Sequence, residues 1–346
     1  MGEKLRVTQK IRVGTGDFVE LDNVSVYFQI RKGLLKRIFV VRALENINIA
    51  IGEHSVLVIV GESGCGKSTL GRVVAGLQPP SHGRLLFRGK DVRSLKGREY
   101  REFRRSIQLV HQDPYSSLNP TKTVFDILYS PLKYWGYVKN KDEALEKILE
   151  LLESVKVTPP EEYIFRYPHQ LSGGEKQRIA LARALSVKPR FIVADEVISA
   201  IDVSLRIDLM NLMIDFWRKY GIGYLFITHE LASARYFAEL TGGIIAVMYL
   251  GRVVEAAPPR KLIFNPLHPY TKALIAATPE LLMDLSELRK KKPLPLKSVD
   301  IPSATKYIPG CKFNTRCPFA DRRCLDEEPM LREVEPGHYV ACHKVL

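Results

Sequence analysis

One segment limits the fold of this chain more than any other: the glycine-rich run GESGCGKST, from Gly61 to Thr69. It directly follows the apolar run VLVIV, which ends at Val60, and it precedes a segment that favours a helix. The spacing G-x-x-x-x-G-K-S between a buried strand and a helix is typical of a loop whose backbone N–H groups surround phosphate. The sequence therefore predicts an α/β protein built around a phosphate-binding loop.

Each residue type in this loop has a chemical role in binding a nucleotide. Glycines let successive N–H groups turn inward, the Lys67 ammonium can reach the β and γ oxygens, and the Ser68 hydroxyl can bind Mg²⁺. Because Cys65 lies beside Lys67 and near a helix N-terminus, its thiolate form is also expected to be favoured. The predicted nucleotide-binding residues here are Gly61, Ser63, Gly64, Cys65, Gly66, Lys67, Ser68 and Thr69.

Two further apolar strands end in residues suited to hydrolysis. RFIVAD ends at Asp195, which could hold magnesium, and Glu196 follows as the group that acts on the attacking water. FITH ends at His229, where a polar side chain could contact the γ-phosphate. These residues predict hydrolysis of a nucleoside triphosphate in addition to binding.

A second anion-binding helix start is predicted at LSGGEKQR, where Ser172, Gly173 and Gly174 precede a helical segment. One chain has little use for two phosphate cradles. Several motifs follow one another along the chain in this order: the phosphate loop, Gln112, LSGG, Asp195-Glu196, SAID (Ser199 to Asp202) and His229. In that order these motifs resemble the ATP-binding subunit of ABC transporters, over about residues 18 to 256.

The resemblance implies that two subunits pair head to tail, so that the LSGG of one completes the ATP site of the other. It implies that Gln112 senses Mg²⁺ and the transmembrane partner, that Asp202 crosses the dimer interface, and that His229 is the switch histidine. It also implies an aromatic residue that stacks on adenine, and Phe28 matches that position best, with Tyr27 as the alternative.

The sequence departs from the family pattern in one loop. The family usually reads D-E-P-T-S-A-L-D, whereas Val197, Ile198 and Ile201 here replace proline, threonine and leucine. Both carboxylates are kept, so hydrolysis is expected. A regulatory subunit that binds nucleotide and hydrolyses it weakly is the alternative that this departure permits.

The implied architecture is a mixed sheet core with an antiparallel β subdomain and a helical insert, followed by a small cysteine-rich extension. We expect an ATP-binding domain at 1–264, with its helical subdomain at about 113–180, and an extension at 265–346. A basic, proline-containing linker, RKKKPLPLK, lies within the extension at 289–297. In the helical insert, the apolar residues of KDEALEKILELLESV recur at helical spacing, namely Leu145, Ile148, Leu149, Leu152 and Val155.

Two segments indicate the branch of the family. HQDPYSSLNP around Gln112, and NPLHPYTKAL from Asn265 to Leu274, both resemble the oligopeptide and dipeptide importers. Peptide is therefore the expected cargo, with short oligosaccharides or metals as the alternative. The resemblance implies a heterodimer with a second related ATPase, two transmembrane permease subunits, an extracytoplasmic substrate-binding protein, and a location at the cytoplasmic face of the inner membrane.

Charge and composition are compatible with this interpretation. Lysine and arginine number 52 against 38 acidic residues, a net charge of +14, which favours an anionic partner. A soluble ABC ATPase of DNA repair or translation would suit that charge, but such proteins usually carry a long coiled-coil insert or two tandem cassettes. Neither is present in the sequence, so no nucleic-acid partner is expected.

Four of the five cysteines fall near the C-terminus, in the spacing C-x₅-C-x₆-C-x₁₇-C. In a cytoplasmic protein such a cluster favours a metal centre over disulfides. Zinc sites usually include cysteine pairs two to four residues apart, whereas iron–sulfur clusters accept wider spacings. Importers with this tail carry a [4Fe-4S] cluster, so the resemblance implies one here; Zn²⁺, with His338 and His343 as substitute ligands, is the alternative. The predicted ligands, in a module at about 308–346, are Cys311, Cys317, Cys324 and Cys342.

Overall fold

The computed structural model describes residues 8–32, 37–113, 117–199, 201–278, 294–303 and 305–345. Most of the basic linker at 289–297, and Ala200 of the SAID motif, lie outside the described residues. The chain forms two compact units, one made of Met1–Leu95 with Phe226–Leu346 and the other of Lys96–Leu225. In the part of the chain that is described, we find no helix with the length and apolar character needed to span a bilayer.

The described chain contains both strands and helices, in the following order within each type. The strands are β1 (Ile11–Val13), β2 (Val19–Lys32), β3 (Arg37–Ile51), β4 (Val56–Val60), β5 (His82–Phe87), β6 (Lys90–Asp91), β7 (Ile107–Val110), β8 (Phe191–Asp195), β9 (Gly223–Ile227), β10 (Ile244–Tyr249), β11 (Arg252–Ala257), β12 (Arg332–Glu335) and β13 (His338–Val340). The α-helices are α1 (Lys67–Val74), α2 (Gly97–Ser106), α3 (Val124–Tyr134), α4 (Lys141–Ser154), α5 (Pro160–Tyr163), α6 (Gly173–Leu185), α7 (Val203–Tyr220), α8 (Leu231–Thr241), α9 (Pro259–Phe264), α10 (Pro269–Ala276) and α11 (Arg322–Asp326).

The first unit contains a five-stranded sheet in the order β1-β3-β2-β5-β6. Strand β2 pairs antiparallel with both β3 and β5, while β1 joins β3 in parallel. Alternate residues of the long strands face the core, and Val24, Val26 and Leu44 have no exposed surface. This sheet is the antiparallel part of the predicted fold.

A second set of strands in the same unit runs in the order β12-β13-β11-β10-β4. Strand β4, VLVIV, pairs in parallel with β10, and each of its residues is at most 2% exposed. A continuous apolar sequence suits a strand that is covered on both faces. Strands β11, β13 and β12 add in antiparallel order. The mixed pairing confirms the predicted α/β fold with a mixed sheet.

The C-terminal strands and the HPYT segment are anchored by one buried carboxylate, that of Glu255 on β11. Its oxygens accept from the backbone N–H groups of Leu267 (2.8 Å) and His268 (2.9 Å), and Nε2 of His338 lies 2.7 Å away. Burial lowers the pKa of His268 to about 4. The ring is therefore neutral near pH 7, and its Nδ1 accepts from the Tyr270 N–H at the start of α10.

The second unit contains the parallel pair β7 and β8 and the helices from α2 to α7. Helix α4 begins at the cap Asn140, whose side chain accepts from the Glu143 N–H at 2.9 Å. Its buried face is formed by Ala144, Ile148 and Leu152, whereas Leu145 is 39% exposed. The predicted helix is confirmed, and Ala144 is buried in it although Leu145, one of the apolar residues at helical spacing, is not.

Glu255→Ala should lower the free energy of unfolding by about 2–4 kcal/mol, because it leaves several buried hydrogen-bonding groups unsatisfied. Thermal unfolding of the full chain measures this change. Glu335→Ala is the matched control: its carboxylate pairs with Lys261 at 3.6 Å near the surface. We expect that control to change stability by less than about 1 kcal/mol. Equal losses in the two variants would contradict the anchoring role of Glu255.

Candidate functional site

The loop that connects β4 to α1 has the form required to surround phosphate. Gly66 caps the helix with φ +106°, and a Cβ atom at this position would lie 2.2 Å from the carbonyl oxygen of Ala43. Only glycine fits both this backbone angle and this close approach. The loop is also fixed from the other side, since the Gly251 N–H donates to the carbonyl of Cys65 at 2.8 Å.

Lys67 is the first residue of α1 and its side chain folds back over the loop. The residue is 4% exposed, and its Nζ donates to the carbonyls of Gly61 (2.8 Å) and Glu62 (3.2 Å). Ser68 and Thr69 follow on the first turn, and both are half-buried. The loop thus presents glycine backbone, an ammonium and two hydroxyls within one short segment, which is the set of donors that a polyphosphate needs.

The expectation that Cys65 favours its thiolate form is wrong. The residue is only 3% exposed, and burial raises the pKa of its thiol more than the nearby charge of Lys67 lowers it. Desolvation disfavours the charged form of any group, and here it outweighs the attraction of a single cation. Cys65 therefore acts in the loop as a small, mostly protonated side chain.

The first unit also holds the predicted adenine-stacking and switch residues. Phe28 on β2 exposes 37% of its surface, whereas the ring of Tyr27 packs 5.5 Å from that of His82. The more exposed ring is the better one for stacking on a base, so the geometry favours Phe28 over Tyr27. His229 follows β9 on the exposed surface, directly after the fully buried Thr228.

In the second unit, Asp195 ends β8 and is 4% exposed. The next residue, Glu196, has φ +49°, an uncommon angle for a residue with a side chain. Ser199 holds this turn, donating its N–H to the Glu196 carbonyl at 3.0 Å and its hydroxyl to Oε2 at 3.4 Å. The turn separates the two carboxylates, one buried at the strand end and one half-buried beyond it.

The apolar residues that depart from the family pattern pack into the second unit. Val197 and Ile198 are 2% and 0% exposed, and Ile201 is 7% exposed. Val197 lines a small cavity of about 10 Å³ together with Leu209 and Met213 of α7. Apolar packing therefore holds this loop in place.

The LSGG motif forms the start of α6, as predicted. Ser172 is the N-cap, and its hydroxyl accepts from the Glu175 N–H at 3.3 Å while the Glu175 carboxylate accepts from the Ser172 N–H at 2.7 Å. This reciprocal pair is a capping box. Gly173 and Gly174 form the first helical turn, where backbone N–H groups can bind an anion.

One residue of this helix was missed by the sequence interpretation. Gln177 is 1% exposed, and its Nε2 donates to the carbonyl of Gln112 at 3.0 Å. The helix that begins with LSGG is thereby tied to the exposed Gln112. The spacing S-x-x-E-x-Q does not predict this contact, because the contact joins positions 65 residues apart. Asp202, also exposed, precedes α7 as its N-cap.

The four cysteines of the tail lie in the first unit. Burial, with a further contribution from the other three thiols, raises the pKa of Cys311 to about 12, so this thiol lies within electrostatic range of the other three. The sulfur of Cys342 accepts from the Lys344 N–H at 3.4 Å, and Cys311 and Cys317 likewise accept from the residue two positions on. Across the described ranges, no three His, Cys, Asp or Glu side chains are arranged to share a metal ion.

Comparisons with known proteins agree with this geometry. Residues 44–199 match the ABC transporter family, and residues 254–324 match the oligopeptide/dipeptide transporter C-terminal region. The chain is 41% identical over 327 residues to the oligopeptide transport ATP-binding protein AppF of Bacillus subtilis, covering 94% of this chain and 96% of that protein. It is also 41% identical to the probable peptide ABC transporter ATP-binding protein y4tS of Sinorhizobium fredii, covering 94% and 89%.

A solved structure shares the fold. The dimeric ATP-binding cassette MJ0796, bound to ADP and Pi in a post-hydrolysis state, superposes with a TM-score of 0.60 at 27% identity. The match covers 70% of this chain and 99% of that one. The chain therefore belongs to the ATP-binding proteins of ABC transporters, ATPases that drive transport, and to the branch with the oligopeptide/dipeptide transporter C-terminal region.

Proposed function

We propose that this protein hydrolyses ATP to power the import of dipeptides and oligopeptides. The observation that carries the proposal is a phosphate loop and an LSGG helix in one chain whose C-terminal region matches that of oligopeptide transporters. The names of the relatives AppF and y4tS support peptide as the cargo. They do not favour oligosaccharides, metals or a role in DNA repair or translation.

ATP would be sandwiched between the phosphate loop of one subunit and the LSGG helix of another. The dimer reported for the cassette MJ0796 supports this arrangement. Asp202 would cross the interface, and its exposed position before α7 suits contact with a partner. Because the sandwiched nucleotide contacts both subunits only in the closed dimer, it would bind that state more tightly, so ATP binding would shift the population toward closure and hydrolysis would reverse the shift.

The hydrolytic roles follow the chemistry of the residues. Ser68, Asp195 and Gln112 offer oxygen donors, which Mg²⁺ prefers, and the buried Asp195 carries the negative charge. Magnesium would neutralise charge on the phosphates. Glu196 would take a proton from the attacking water, and His229 would contact the γ-phosphate. Phe28 would stack on adenine, with the loop residues Gly61, Ser63, Gly64, Cys65, Gly66, Lys67 and Thr69 around the phosphates.

The partners would be a second, related ATPase in a heterodimer, two permease subunits and an extracytoplasmic binding protein. The site of action would be the cytoplasmic face of the inner membrane. We assign the ATP-binding domain to 1–264 and the extension to 265–346. These assignments rest on the resemblance to the importer branch.

The tail would hold a [4Fe-4S] cluster on Cys311, Cys317, Cys324 and Cys342. Thiolates are the ligands that such clusters use, and hydrogen bonds to the sulfur atoms adjust the reduction potential of the cluster. A cluster spreads its four ligands over a larger body than one ion does. The wide spacing of these cysteines along the sequence therefore favours a cluster over a single Zn²⁺. When bound, the metal centre would contribute folding energy to this short module.

Glu196→Gln should keep ATP binding and lose turnover, because the amide keeps the shape of the side chain and cannot take a proton. In the complex with its partner ATPase, permeases and binding protein, a peptide should stimulate hydrolysis by the wild type. The variant should be at least about 100-fold slower. Glu146→Gln, at an exposed position of α4, is the control. A wild-type rate in Glu196→Gln would exclude Glu196 as the base, and stimulation by oligosaccharide but not by peptide would contradict the cargo.

Maleimide should label Cys65 slowly near neutral pH, because the thiol is buried and its pKa is raised. The labelling rate should increase as the pH rises toward that pKa, and MgATP should reduce it further. Peptide mass spectrometry separates Cys65 from the tail cysteines, and the unfolded chain gives the unprotected rate. Rapid labelling of the folded protein at pH 7, or equal labelling with and without MgATP, would be inconsistent with a buried thiol under the nucleotide.

Protein purified without oxygen should be brown, with absorption near ~400 nm and about four irons per chain. Cys324→Ser should lose the colour and make the tail more sensitive to protease, since the module depends on its metal. Cys65→Ser, which changes the one cysteine outside the tail, should keep the colour. Colourless protein that contains stoichiometric zinc would replace the cluster with a zinc site.

A further inference from the structure

The C-terminal extension contacts the phosphate loop at Glu62, the residue after the first glycine of the motif. The Arg316 guanidinium donates to both carboxylate oxygens of Glu62, from Nη1 to Oε2 at 2.7 Å and from Nη2 to Oε1 at 3.0 Å. The Tyr270 hydroxyl accepts from the Glu62 N–H at 3.0 Å. The Glu62 carbonyl accepts from Lys67 Nζ at 3.2 Å. The carboxylate, amide and carbonyl of one loop residue are thus each held by a different side chain.

Arg316 is fixed in place for this contact. Its side chain is 6% exposed, against 22% for Glu62, and the guanidinium lies 5.7 Å from the ring centroids of both Tyr249 and Phe313. Its backbone carbonyl accepts from the Lys297 N–H at 3.0 Å. Because packing already restricts the guanidinium, forming the two-point contact costs little side-chain entropy. An ion pair on a protein surface costs more, since it has to restrict two mobile side chains.

The contact between Arg316 and Glu62 matters for anion binding, because Glu62 carries a negative charge within the phosphate loop. A carboxylate in a loop that binds a triphosphate repels the ligand if the carboxylate is unpaired, and the repulsion is strong where water is partly excluded. The loop also lies beside the extension, because Glu62 and Gly64 line a cleft of about 140 Å³ with Ile301 and Pro302. Arg316 offsets the charge of Glu62 at the position where the loop has to accept an anion.

We propose that Arg316 is a positioning residue for ATP: it neutralises Glu62 and, together with Tyr270, holds the start of the phosphate loop in its binding shape. The inference rests on the proposed function in one respect, namely that this loop binds ATP. Tyr270 belongs to the HPYT segment, and Arg316 directly precedes Cys317. Both parts of the extension therefore act on the same loop residue.

The test measures the dissociation constant of MgATP for the full-length chain with a fluorescent ATP analogue in competition. Arg316→Gln should weaken binding about tenfold at low salt, and less at high salt, because the freed carboxylate is screened by ions. Glu62→Gln should bind ATP at least as tightly as the wild type. The double variant Glu62→Gln with Arg316→Gln should return to within about twofold of the wild type, since no unpaired carboxylate remains. Arg323→Gln, which breaks an exposed pair with Glu327 in the same extension, is the matched control and should have no effect.

The outcomes separate this proposal from a general packing role. Wild-type affinity in Arg316→Gln, or equal weakening in Glu62→Gln and in the double variant, would overturn it. Failure of the wild type to bind MgATP would overturn the proposed function as well, so the two failures are distinct. Thermal unfolding checks that each variant is folded. If Arg316→Gln does not fold, Arg316→Met, which removes the charge and keeps an apolar side chain, takes its place, and weakened binding that Glu62→Gln fails to restore would likewise overturn the proposal.

Discussion

The close approach of backbone to backbone at the phosphate loop is the constraint on which the rest of the site depends. A Cβ atom on Gly61 would lie 2.2 Å from the carbonyl oxygen of Met248, and one on Gly66 would lie 2.2 Å from that of Ala43. Those carbonyls belong to β10 and β3, so the loop touches both sheets of the first unit. The path of the loop at these two glycines is therefore limited by the strands as well as by the loop itself.

The C-terminal extension belongs to the same folded unit as this loop. Strand β13 pairs with β11, and Glu255 on β11 fixes the chain before α10. The neutral ring of His268 then caps α10, which places the Tyr270 hydroxyl at the loop. A sequence motif that lies two hundred residues after the phosphate loop is thus part of its support. The extension therefore contributes contacts that hold the phosphate loop.

Sequence reasoning predicted the parts of this protein that lie in continuous segments. The phosphate loop, the apolar strand before it and the LSGG helix start are each specified by neighbouring residues. The pair of Glu62 and Arg316 was not predicted, because it joins positions 254 residues apart and depends on the tertiary fold. The thiol of Cys65 was misjudged for a related reason, since its burial depends on packing that no local pattern records. The exposure of Leu145 on α4 could not be predicted either, because helical spacing alone does not say whether Leu145 or the neighbouring Ala144 faces the core.

The edge strand β12 has a consequence for how the protein behaves in a concentrated solution. Its sequence, Arg-Glu-Val-Glu, carries three charges on four residues, and the Glu333 N–H is already used by the side chain of Gln9. An open strand edge can pair with another molecule, and charges on that edge oppose such pairing. The strand two positions further in, β11, is mostly apolar and buried. The hairpin of β12 and β13 therefore covers the edge of β11, and its loss would leave that edge open to pairing with another molecule.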